Sequence, residues 1–99
     1  MARRDGDKAR PMVVLRSDAL IELSHLTVVP LTSELVADNA LRPTVDPDAD
    51  NGLRVVSQAM TDWPQTIRAG EIGAVIGQLD RSTMSRITTQ LAVVLGFGE

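Results

Sequence analysis

The hydrophobic period of this chain changes once, at Asp80. Beyond it, Met84, Ile87, Leu91, Val94 and Leu95 recur at helical spacing. The Asp80 carboxylate suits an N-cap, because it can accept an unpaired backbone N–H of a first turn. Gly96 suits the other end. One amphipathic helix is therefore predicted over residues 81–95. Before Asp80 no such period exists. The apolar residues come instead in short, β-branched runs separated by turn residues, which reads as strands. Met12 to Leu15 forms one and Leu26 to Leu31 the next, with Pro30 marking a kink or an edge. Leu41 to Asp46, Leu53 to Asp62, Thr66 to Arg68 and Gly73 to Leu79 follow, with Gly77 at a bulge or a close backbone approach. The strongest turn signal is the run from Asp46 to Gly52, which ends in Asn-Gly. Short strands closed by one terminal helix predict a mainly β fold with a C-terminal helix, a small twisted sheet or half-open barrel.

At 99 residues the chain is sized for a single domain, residues 1–99, with residues 1–9 expected as a flexible basic start. No apolar run approaches the roughly 20 residues of a membrane span. No apolar segment follows the basic start, which argues against a signal peptide. The absence of cysteine excludes disulfides, thiolate metal sites and cysteine nucleophiles. A cytoplasmic protein fits that usage. Trp63 and Phe97 are the whole aromatic content, so the chain has no aromatic platform for stacking bases. The net charge of −3 hides an uneven distribution: residues 1–16 carry +3 and residues 17–51 carry −6. An acidic chain does not coat nucleic acid broadly, so any site for a polyanion must be local.

Spacing alone offers little chemistry. Gly-rich phosphate loops, paired-histidine metal motifs and Ser-His-Asp patterns are missing from the sequence. His25 reads as a surface or half-buried histidine. The alternating acids of Asp46 to Asp50 lack the loop length and distal glutamate of a calcium loop, so they read as a solvated turn. No cofactor and no metal ligand set is expected.

Four blocks in order carry a resemblance. Arg10-Pro11-Met12-Val13-Val14-Leu15-Arg16-Ser17-Asp18 resembles the arginine–proline strand of MazF/PemK-type toxins, the mRNA interferases of type II toxin–antitoxin systems. Thr27-Val28-Val29-Pro30-Leu31-Thr32-Ser33 resembles their second signature. Asn51-Gly52-Leu53-Arg54, with Ser57 to Asp62 and Thr66-Ile67, resembles the third. Ile76 to Asp80, Met84 and Leu95-Gly96-Phe97 resemble the last. The likeness spans residues 9–97.

The resemblance implies an SH3-like barrel of the CcdB/MazF/PemK toxin type, a homodimer, and a metal-independent endoribonuclease that cuts single-stranded mRNA by attack of the ribose 2′-OH. It also implies a cognate antitoxin as partner. Arg10 matches the family's catalytic arginine, whose fork can hold two phosphate oxygens and stays charged. Thr32 matches its threonine, which can bond the phosphate or orient the 2′-OH, with Ser33 assisting. Asp62 matches an aspartate that some relatives use as a general base; holding Arg10 is its other reading. Surface ion pairing with Asp7 or Asp18 is the other reading of Arg10, and a turn cap that of Thr32 and Ser33.

The chain departs from the family in three places. Met60 stands where relatives have an arginine, the N-terminal histidine is missing, and only ten residues precede Pro11. The family's first strand is therefore expected to be missing or displaced. Two other functions remain on this reading: a CcdB-like DNA gyrase poison, and a degenerate toxin that only dimerises and binds antitoxin.

Overall fold

A computed structural model describes residues 1–4, 10–15, 24–37 and 41–97. The strands are β1 (Ala2–Arg4), β2 (Pro11–Leu15), β3 (His25–Thr32), β4 (Thr44–Val45), β5 (Ser57–Ala59), β6 (Gln65–Arg68) and β7 (Ile72–Val75). A 3-10 turn, Ala69–Glu71, links β6 to β7, and the helix α1 spans Arg81–Val94. All strand pairs are antiparallel, in the order β4-β5-β3-β2-β1-β7. Strand β6 joins the path by pairing with β3.

β3 organises the curled sheet. Its first half, His25 to Val28, pairs with β6, and its end, Leu31-Thr32, pairs with β5. Pro30 sits at the handover. It has no N–H for a ladder, and its carbonyl accepts the Met60 N–H at 2.9 Å. The expected kink is thus the point where one strand leaves one neighbour for another.

The unbroken apolar runs arise because β2 and β3 are buried on both faces. Val13, Val29, Leu31, Val45, Leu53, Ala59 and Ile87 form one cluster, with Leu15, Met84 and Leu91 packed on it. Met12, Val28 and Ile67 form a second, with Val14 and Ile72. Residues of β2 and β3 alternate between the two, as strand geometry requires. α1 covers the larger cluster through Ile87, which is fully buried and contributes roughly 1.5–3 kcal/mol. The Asp80 carboxylate caps the helix by accepting the Thr83 N–H at 2.7 Å, and Gly96 follows the last turn at φ +87°. Val93, Val94, Leu95 and Phe97 lie exposed beyond the core. The apolar stripe therefore covers the barrel from Met84 through Ile87 to Leu91, and its last members, Val94 and Leu95, are exposed.

Four expectations need correction. The first strand is present, though short. Ala2 pairs with Met12 on one side and Val75 on the other, and is buried. The outer edge of β2 is thus paired at Met12 and Pro11. Residues 2–4 consequently belong to the sheet, while 5–9 lie outside the described residues. Second, the expected strand from Leu53 to Asp62 shrinks to β5. Asn51 draws the Leu53 N–H onto its side chain at 2.9 Å, and the Thr61 and Trp63 N–H groups turn back onto Ala59 and Met60. Third, the strand expected to run to Leu79 stops at Val75. Ile76 and Gly77 cross over the Asp50–Gly52 turn, and a Cβ on Gly77 would lie 2.4 Å from Asp50 O. The expected third strand is likewise only β4.

Candidate active site

The register of β2 against β3 builds the site. Met12 lies opposite Pro30; the same register carried two positions further sets Arg10 level with Thr32. Both line an open cavity of about 750 Å³, with Ser33, Glu34, Leu53 and Arg54 around it. Pro11 starts β2 directly after Arg10, and its fixed φ holds the strand start extended.

Thr32 is half-buried at the end of β3, and its Oγ1 accepts the Glu34 N–H at 3.1 Å. That bond uses a lone pair and leaves the hydroxyl proton free to donate into the cavity. The turn also sets Glu34 beside Thr32. Gln58 fixes the following residues: its Oε1 accepts the Val36 N–H at 2.9 Å and its Nε2 donates to the Val36 carbonyl at 3.0 Å. Gln58 is buried, so the pair of bonds acts as a short extra ladder that ties the Ser33–Val36 segment to β5.

The opposite wall is held by Asn51, also buried. Its Oδ1 accepts the Leu53 N–H, and its Nδ2 donates to the Asp46 carbonyl at 2.8 Å. The Asp48 carboxylate accepts the Asp50 and Asn51 N–H groups, each at 2.8 Å. These acids therefore cap a turn. Gly52, at φ +74°, lets the chain pass so close to Ile76 that a Cβ there would lie 2.1 Å from Ile76 O. That passage brings Leu53 and Arg54 to the cavity.

The electrostatics favour an anion. Arg10 and Arg54 both reach the cavity, and among the described residues neither is paired with a carboxylate. Asp7 and Asp18, the expected surface partners of Arg10, lie outside the described residues. Asp62 does not line the cavity. It accepts two bonds from Arg42, Nε to Oδ1 at 2.9 Å and Nη2 to Oδ2 at 3.2 Å. The Arg42 guanidinium holds the Asp62 carboxyl below its ordinary range. Asp62 thus holds Arg42 rather than Arg10, and its oxygens are occupied.

The structure brings Arg10, Thr32 and Ser33 together and leaves Asp62 apart. Sequence reasoning missed Glu34, Gln58 and a site role for Arg54. Arg54 and Gln58 carried a signal in the third block, which holds both Asn51 to Arg54 and Ser57 to Asp62; Glu34 carried none that a single sequence shows. His25 is exposed at the far end of β3, bonded to Ser24. Among the described residues, no three His, Cys, Asp or Glu are grouped to hold a metal ion, and no helix is long and apolar enough to cross a membrane.

Known proteins share this frame. A probable endoribonuclease MazF of Mycolicibacterium smegmatis is 30% identical over 89 residues, which is 90% of this chain and 82% of that protein. The Mycobacterium tuberculosis toxin MazF-mt6 superposes with a TM-score of 0.82 at 29% identity, covering 96% of this chain and 94% of that one. A mycobacterial endoribonuclease solved with its cognate antitoxin superposes at 0.80 with 25% identity, covering 96% and 89%. The match to a family as a whole takes in residues 2–95, from β1 through α1. With the arginine–proline strand and the Thr32-Ser33 strand end on one cavity of that shared frame, the chain belongs to the PemK-like, MazF-like toxins of type II toxin–antitoxin systems.

Proposed function

We propose that this toxin cuts single-stranded mRNA in the cavity between Arg10 and Thr32, with the ribose 2′-OH as nucleophile. The observation that carries the reading is the pairing of an unneutralised arginine fork with a free hydroxyl donor at one open surface. Arg10 grips two non-bridging oxygens of the scissile phosphate and meets the charge that builds on them as the phosphorane forms. Thr32 donates its hydroxyl proton to the same phosphate, and Ser33 assists from the next position. The attacking 2′-O closes a cyclic phosphate as the P–O5′ bond breaks, and the departing oxygen takes a proton. The nucleophile belongs to the RNA, so the chemistry calls for no metal-bound water.

The toxin works as a cytoplasmic homodimer. Val93, Val94, Leu95 and Phe97, exposed at the end of α1, are the surface that a second copy covers. Light scattering then gives a dimer, and 10.7 kDa particles at micromolar protein would refute that part. A cognate antitoxin is the regulatory partner; the solved endoribonuclease–antitoxin complex of similar fold supports it.

The test is purified protein incubated with a long single-stranded RNA in EDTA. Discrete cuts leaving 2′,3′-cyclic phosphate and 5′-hydroxyl ends support the reading. Intact RNA, with or without inhibition of DNA gyrase, overturns it.

A further inference from the structure

Cleavage by a 2′-OH needs a proton acceptor, and Asp62 does not reach the cavity. Among the described residues that line it, one side chain carries a carboxylate, the group that can take a proton from a hydroxyl. That is Glu34. Arg10 and Arg54 are the other charged groups there, one from the start of β2 and one from the segment after Gly52, and a guanidinium offers hydrogen-bond donors only. β5 and the segment after β7 supply only Ser57 and Ile76.

From this we infer that Glu34 is the general base that takes the proton from the attacking 2′-OH. The assignment rests on the nuclease reading above. Three features fit it. The Glu34 N–H bond to Thr32 Oγ1 ties the carboxylate's own residue to the hydroxyl that faces the phosphate. The Gln58 amide holds the next turn of chain at Val36 by two bonds, so the carboxylate is carried on a fixed segment. The carboxylate is exposed and, among the described residues, has no cation paired to it, which leaves its oxygens open to substrate. The Asp62 carboxylate has neither freedom nor place, being bound on both oxygens by Arg42.

The step balances simply. The 2′-O–H bond breaks and its proton passes to a Glu34 oxygen. The O2′–P bond forms and the P–O5′ bond breaks. The leaving O5′ takes a proton from solvent water, on the side of phosphorus opposite the attack, and Glu34 returns its proton to solvent.

The test is a pH series of single-turnover cleavage with wild type, Glu34→Gln and Asp62→Asn. Glu34→Gln is expected to lose about 100-fold or more in rate, the usual worth of a positioned general base. It is also expected to lose the acid limb of the wild-type profile while binding a 2′-deoxy analogue as tightly as wild type. Asp62→Asn is expected to keep both rate and limb. A second substrate with sulfur replacing O5′ separates the two proton transfers, because a thiolate leaves without a proton. Glu34→Gln should stay slow on it. Recovery to the wild-type rate there would make Glu34 the acid for the leaving group and overturn the assignment, as would an unchanged pH profile in Glu34→Gln. Failure of the wild-type chain to cut any RNA would instead remove the nuclease reading itself.

Discussion

The crossing of Ile76-Gly77 over the Asp50–Gly52 turn shapes the cavity wall, and a single methyl group tests it. In Gly77→Ala the new Cβ would lie 2.4 Å from Asp50 O and from the Asn51 carbonyl carbon, both backbone atoms. Ordinary contact needs about 1 Å more, so the two segments must part. The Gln78 N–H bond to Asp50 O, now 2.8 Å, is stretched past hydrogen-bonding range by that movement. Overpacking costs about 1–3 kcal/mol and the lost bond about 1 kcal/mol. A total of about 2–4 kcal/mol lowers the midpoint of a chain this size by at least about 8 °C. Gly70→Ala is the control: nothing lies within 4 Å of its added Cβ, so it should melt like wild type or slightly higher. Thermal unfolding by circular dichroism reads both variants. Gly77→Ala melting within about 2 °C of Gly70→Ala would refute the close crossing. Because the same turn holds Leu53 and Arg54 at the cavity, the Gly77→Ala protein that remains folded should also cut RNA more slowly.

Arg10→Ala should lose about 100- to 1,000-fold in cleavage rate with an unchanged circular dichroism spectrum, and Arg10→Lys should also be poor because the two-pronged grip is gone; near wild-type cutting by Arg10→Ala refutes the role. Thr61 is fully buried, and among the described residues its hydroxyl has no partner. Thr61→Val removes that unsatisfied group at nearly constant shape, so the melting temperature should hold or rise, by about 1 kcal/mol of stability at most. A clear fall would show that the hydroxyl is bonded in solution. The Arg42 pair depresses the Asp62 carboxyl below its unfolded value, so its contribution is complete above the unfolded carboxylate range and disappears as pH falls through the folded value. Both groups are partly exposed, so the acid-side loss of stability that Asp62→Asn removes should be small and should shrink further in salt.

The sequence made the helix and the strands of the Arg10 and Thr32 blocks readable for physical reasons. A 3.6-residue apolar period has one interpretation over fourteen residues, and Asp80 marked its start. The runs Met12 to Leu15 and Leu26 to Leu31 read as strands because they are short, apolar and rich in β-branched residues. The middle of the chain misled because its strands end through side-chain bonds that periodicity does not encode. Asn51 captures the Leu53 N–H, and Gly77 makes its close crossing only because it lacks a side chain. β1 was missed because three residues, two of them arginine, carry no apolar alternation. In the site, Arg10, Thr32 and Ser33 were legible through the blocks that resemble known toxins, whereas Glu34 and Gln58 gain meaning only from the register that folds residue 58 beneath residue 36. Asp62 was legible as a candidate and is held by Arg42, a partner twenty residues away that only the fold brings near.

The most direct test of the central claim uses two RNA oligonucleotides that contain one mapped cut site and differ in a single atom. The first is all ribose. The second has hydrogen in place of the 2′-hydroxyl on the nucleotide 5′ to the cut. Both should bind with similar affinity, the first should be cut in EDTA, and the second should remain whole. Cutting of the 2′-deoxy strand at the same position would contradict attack by the RNA's own hydroxyl, and with it the catalytic roles of Arg10, Thr32 and Glu34.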